Sequence, residues 1–161
     1  MGARSARYAD EFEAAQDSFI DLVESLSDEQ WSTVGKNYPE RVSEDEHRTV
    51  GVIAHHVADT QKFIVDRIYL MIEEKSLPRV DFKVVNADHA REHASVTPRQ
   101  VVALLRANRE SLGERVRAIP DESLDLVHET PVGPATVAQR LENVLIGHIK
   151  THRGSIEAAI G

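Results

Sequence analysis

Two histidines four residues apart, His148 and His152, sit in the middle of an apolar helical stripe, LENVLIGHIKTHRGSIEAAI. At about 100° per residue, with Val137 as zero, Leu141, Val144, Leu145, Ser155 and Ala159 fall within roughly 80° of it. On the same wheel His148 and His152 fall at about 20° and 60°, so both imidazoles point where leucines belong. Residues i and i+4 are stacked neighbours on a helix, and two ring nitrogens so placed can grip one ion. The plain alternative is a pair of neutral core histidines without an ion. It requires a partner for each ring, because an unpaired buried polar group costs on the order of 1–3 kcal/mol.

A catalytic metal usually takes three protein ligands and keeps a position open. The other histidines are His47, His55, His56, His89, His93 and His128. His55 and His56 fall on a second helical stripe made by Val50, Ile53, Val57, Ile64, Ile68 and Met71. With Val50 as zero that stripe centres near about −30°, His56 lies near about −120° and His55 near about +140°. His56 is therefore on the shoulder of the core face and is the better third ligand, whereas His55 is expected to point at solvent. His89 and His93 repeat the i, i+4 spacing in NADHAREHAS, but their polar surroundings read as a solvated surface pair. His47 and His128 lie in polar stretches and receive no role. Asn108, between Leu105 and Leu112 on an inward face, needs a partner, whether a group beside the site, a substrate or a bridging water.

Helices must position these residues. The first is expected from Ser5 to Ser25, with Tyr8, Phe12, Ala15, Phe19, Val23 and Leu26 at spacings of three and four. Ser27 to Gln30, before Trp31, reads as a capping box, and Gly35 to Asp45 as a loop. Thr49 caps a second helix that runs to about Lys75. Ser76 to Val85 is a connector, in which Arg79–Val85 has the only short alternating pattern, and Asn86 to Ser95 is a short helix or turn. Thr97-Pro98 starts a third long helix that ends near Ala118, before Pro120. Asp121 to Pro134 reads as a loop and Ala135 to Ile160 as the last helix. Four amphipathic helices predict an all-α, four-helix bundle with long middle connections, a single domain over residues 1–161.

Composition narrows the chemistry. With no cysteine, the chain has no thiol nucleophile and no thiolate ligand, so a transition-metal site must use His, Asp or Glu. A net charge of −8 without a basic run argues against nucleic-acid binding, which draws on phosphate neutralisation. No stretch approaches about 18 apolar residues and the start, MGARSARYADEF, has no apolar segment, so a cytoplasmic protein with no membrane span is expected.

The segment Thr49-Val50-Gly-Val-Ile53-Ala-His55-His56-Val57-Ala-Asp59 resembles the T-V-x-x-(apolar)-x-x-H-(L/V)-x-D pattern of the DinB/YfiT-like family of metal-dependent enzymes. His148-Ile-Lys-Thr-His152 is similar to that family's H-x-x-x-H, and the resemblance extends over nearly the whole chain. It implies a divalent metal, nickel or zinc, held by His56, His148 and His152, and frequent homodimers. It also implies reactions with low-molecular-weight thiols, as transferase, isomerase or hydrolase, on small molecules. A dimer would draw on apolar residues outside the stripes, such as Ile146 near about 180°. The alternatives are a non-catalytic metal-binding or small-molecule-binding bundle, and a histidine-lined interior without metal. Glu142 and Asp59 point away from the stripes and neither is nominated as a base, so no catalytic or thiol-binding residue is identified.

Overall fold

Short polar residues start five of the helices of the computed structural model, which describes residues 2–35 and 48–161. Most of the expected Gly35–Asp45 loop, and His47, lie outside the described residues. Helix α1 spans Ala3–Ser25 and the single turn α2 spans Asp28–Trp31. At α2 the capping box is present: Gln30 N–H donates to Ser27 Oγ at 3.2 Å and Ser27 N–H to Gln30 Oε1 at 3.0 Å. Thr49 caps α3, Val50–Ile72, by accepting from Val52 N–H. Helix α5, Pro98–Arg117, opens on the Thr97–Gln100 box with Pro98 in its first turn.

Three segments differ from expectation. The alternating Arg79–Val85 stretch is not a strand: Asp81 accepts from the Lys83 and Val84 N–H groups and opens α4, Phe82–Glu92. The expected loop at Asp121–Pro134 holds a 3₁₀ turn, Asp121–Asp125, and most of a hairpin, β1 Val127–Thr130 with β2 Gly133–Thr136. Strand β1 alternates exposed and half-buried residues, but Val127 is on the exposed side, so no apolar alternation marks it in the sequence; Gly133, at φ 105°, supplies a conformation that side chains rarely adopt. The last helix is continuous but not uniform. Helix α6, Val137–Arg140, passes through a π-turn, Leu141–Ile146, into α7, Gly147–Ile160. There the Gly147 N–H reaches the Glu142 carbonyl five residues back.

That wider turn resets the helical face. Leu141, Leu145 and Ile146 are buried within it, and Ile149 and Ile156 after it. Ile146, expected on the outside as a dimer contact, is 2% exposed and belongs to the core. A uniform wheel puts it opposite the stripe; the π-turn rotates it inward.

The fold is all-α apart from the hairpin. Helix α1 lies along α5 and touches α7, and α3 lies against both α5 and α7. Phe12, Phe19, Ile68, Met71, Leu105, Leu141 and Ile156 fill the space between them. One polar cluster crosses this core. Gln16 and Gln61 exchange amide hydrogen bonds at 2.7 and 2.8 Å, and Gln16 also donates to the Leu105 carbonyl. Asn108 donates to the Ala58 carbonyl at 2.7 Å and to Gln61 Oε1 at 3.0 Å. The inward Asn108 therefore serves to join α5 to α3, and its two amide N–H groups need no bridging water or substrate.

Candidate metal centre

His56 extends from α3 toward α7, where His148 and His152 stand one turn apart. His56 Nε2 lies 3.2 Å from His148 Nε2, and His152 Nε2 lies 2.9 Å from the same atom. The rings meet edge-on, with interplanar angles of 61°, 82° and 83°. A ring nitrogen offers either one N–H or one lone pair in its plane, so His148 Nε2 cannot make a well-directed bond to both neighbours. Three lone pairs converging on one cation resolve that conflict. With metal–nitrogen bonds of about 2.0–2.1 Å and tetrahedral angles, ligand nitrogens lie about 3.3 Å apart, close to what is seen. The donor set therefore fits a borderline divalent ion. On the other side of the ring, His148 Nδ1 is buried with no hydrogen-bond partner among the described residues, so that ring's polar contacts lie on its Nε2 side.

Burial sets the charge state. It pushes the pKa values of His148 and His152 down to about 4. His56 is pushed down to about 3, by burial first and then by the nearby charges of His148, His89 and Arg48. All three imidazoles are neutral near pH 7, which is the ligating form.

The three rings line an open cleft of about 1170 Å³, on the scale of small-molecule sites. Asp59 and Thr60 of α3, Phe82 and Asn86 of α4, and Asn143 of the π-turn share its wall. Asp59 was expected to point away from the core stripe; it is exposed, but on the cleft side. Glu142 is exposed and is not among the cleft residues. Two arginines, besides Lys83 of α4, also line the cleft. Arg67 is 7% exposed, donates to the Pro78 carbonyl at 2.9 Å and stacks over Phe63. Arg140 is half-buried, and its pKa is lowered by burial and by the charge of Arg67. Among the described residues neither guanidinium has a carboxylate partner.

The remaining histidines fall differently from expectation. His55 does not point at solvent: it is 9% exposed, and its Nδ1 lies 2.8 Å from His89 Nε2. His89 and His93 are not a solvated pair. His89 is 8% exposed and His93 stacks on His55 with ring centroids 3.9 Å apart. The wheel failed because it assumes one buried face, whereas Val50 to His55 are buried all round. Trp31 lies so close to Gly51 that a Cβ there would come within 2.6 Å of its ring, and α4 covers the side where His55 emerges. The signal in the sequence was the i, i+4 pair at His89 and His93 together with the doubled histidine at His55-His56. His128 lies elsewhere, its ring nitrogens against the Glu129 and Lys75 carbonyls.

A scan of protein families matches the DinB superfamily over residues 11–156. No curated protein matches the chain. The superfamily is typically metal-binding, and the histidine groups described here can hold a metal ion. No helix among the described residues is long and apolar enough to cross a membrane.

Proposed function

We propose, for a chain that belongs to the DinB superfamily, a divalent-metal-dependent enzyme that acts on a small molecule bearing an anionic group. His56, His148 and His152 are its metal ligands, and nickel or zinc is the ion that a neutral three-imidazole set suits. The observation that carries this reading is the convergence of three Nε2 atoms on the wall of an open cleft. A sealed site would favour a purely structural ion.

A divalent ion held there supplies Lewis acidity at its open position, making a water or a thiol acidic near neutral pH. The chain does the rest. Arg67 and Arg140 draw the anionic end of a substrate to the far part of the cleft and fix its orientation. Of the two carboxylates that line the cleft, Asp81 is engaged in capping α4, and Asp59, three residues after His56 on α3, is the one available to take a proton. Since the chain has no cysteine, a thiol nucleophile comes from a soluble low-molecular-weight thiol, in a transferase, isomerase or hydrolase reaction. A single domain over residues 1–161, a homodimer and a cytoplasmic setting complete the proposal, the homodimer on the family resemblance.

The test is metal analysis of tag-free protein, followed by turnover screens of anionic substrates with and without low-molecular-weight thiol. Bound metal with thiol-dependent turnover, and a raised KM when Arg67 is replaced by Gln, is the expected result. Full metal loading with no turnover on any thiol, ester or amide substrate would favour the non-catalytic binding bundle.

A further inference from the structure

The second histidine cluster joins α3 to α4 and shares no residue with the first. His55 comes from α3, His89 from the buried side of α4, and His93 from the cap that ends α4. His55 Nδ1 and His89 Nε2 are 2.8 Å apart, the His55 and His93 rings stack at 3.9 Å, and the His89 and His93 rings lie 4.7 Å apart. One ligand atom from each ring lies within 4.8 Å of the other two. Metal-free, one N–H···N bond joins His55 to His89, and His93 only stacks beside them. No ion pair to any of the three occurs among the described residues, and His93 stays half-buried, leaving water access on one side.

We propose that His55, His89 and His93 form a second divalent-metal site, so that the chain holds two ions in neighbouring sites. The ion is a borderline first-row cation such as zinc, cobalt or nickel, since the donors are three imidazoles with no thiolate. The sites abut without merging. His55 and His56 are consecutive, the His56 and His89 rings meet edge-on at 5.6 Å, and both line a cavity of about 10 Å³, room for about one water.

The second ion has a defined mechanical effect. Phe82, Lys83, Val85 and Asn86 of α4 line the cleft beside the first triad. The buried side of α4 is made of Ala87, His89 and Ala90, a small apolar surface for holding an 11-residue helix. An ion bridging His89 and His93 to His55 fastens α4 to α3, and with it the cleft wall.

Titration of tag-free apo-protein with cobalt(II), read by d–d absorption, and with zinc, read by calorimetry, tests the proposal. Two equivalents are expected for the native chain. His93→Gln, at the half-exposed end of α4, should fold normally by circular dichroism and bind one. Its second-site affinity should fall by more than the roughly 10–100-fold typical of losing an outer-sphere partner. His148→Gln should also bind one, leaving the site on α4 intact. Hydrogen exchange across residues 82–92 should slow on metal loading in the native chain but not in His93→Gln. One equivalent lost in His148→Gln and kept in both His93→Gln and His89→Gln would overturn the second site, as would two equivalents kept in His93→Gln. One equivalent lost in His93→Gln and kept in His148→Gln would uphold the second site and overturn the first triad instead.

Discussion

Two clusters of three histidines lie side by side, one spanning α3 and α7 and the other α3 and α4, yet they are supported in different ways. His148 and His152 extend from a helix whose neighbours Leu145, Ile149 and Ile156 are fully packed in the core. His89 and His93 extend from a short helix that buries little more than alanine, with Phe82, Val84 and Val85 of that helix exposed. Core packing preforms the first cluster. The second depends on its own ligands to hold its supporting helix. A rigid scaffold keeps an ion-ready geometry with or without the ion, whereas a weakly held one couples binding to local order.

The largest expected difference follows from removing ligands one cluster at a time. His56→Gln should abolish metal at the first site and any turnover, while far-ultraviolet dichroism stays native, because glutamine keeps much of the volume and the core does not need the ring. Metal content and activity measured on the same preparation check this. Retained activity at full metal loading would remove His56 from the ligand set.

Acid should affect both clusters, the first more strongly. An unfolded histidine has a pKa near 6.5, whereas burial holds His56 near 3 and His148, His152 and His89 near 4. His55 is lowered too, by burial first and then by the charge of His93. Between those values the unfolded chain binds protons that the native chain refuses, so metal-free stability is complete above about pH 6.5 and falls from there toward about pH 4. Each such group contributes a slope of up to about 1.4 kcal/mol per pH unit. Denaturant unfolding in chelator across pH 4.5–7.5 measures it, and His152→Gln should flatten the curve more than His55→Gln. A flat profile would mean that the rings are solvated and the clusters more open than described.

Much of the frame was legible in the residues because its signals are local. Ser27, Thr49 and Thr97 announce helix starts through hydrogen bonds three residues long, and His148 with His152 announces a site by spacing alone. What was illegible depended on partners distant in sequence. His55 is buried by α4, and the inward side of α4 is alanine and histidine, which leaves no apolar periodicity to read. The π-turn has no residue signature of its own, so every wheel angle beyond Leu141 drifted and Ile146 was put on the wrong side. Asn108 was recognisably inward, but its partners Ala58 and Gln61 sit on a different helix.

The amide cluster allows a test of scaffold without chemistry. Gln61→Leu leaves Gln16 Oε1 without its donor and removes an acceptor of Asn108. The cost should be about 1–3 kcal/mol, a fall in Tm of about 2–12 °C at roughly 2–4 °C per kcal/mol for a chain of this size. Metal content at both clusters should stay at its native level. If the second site alone emptied, α4 would be relying on the packing of α3 more than on its own ligands.

The smallest effect should come from Gly147, and it distinguishes the two clusters most sharply. A Cβ at Gly147 would lie 3.2 Å from the Glu142 carbonyl, the same oxygen that accepts the Gly147 N–H across the π-turn. That oxygen is backbone and cannot swing aside, so Gly147→Ala has to shift the turn by a few tenths of an ångström. Alanine gains up to about 1 kcal/mol of helix propensity over glycine, which offsets the contact, and net stability should change by less than that. The geometry of His148, the next residue, should nevertheless move. Cobalt affinity at the first cluster is expected to fall by less than about tenfold, with altered d–d bands, while the second keeps its spectrum, because none of its ligands lies beyond the π-turn. Unchanged affinity at the first cluster would mean that α3 and the cleft walls, rather than the π-turn, aim the His148 ring.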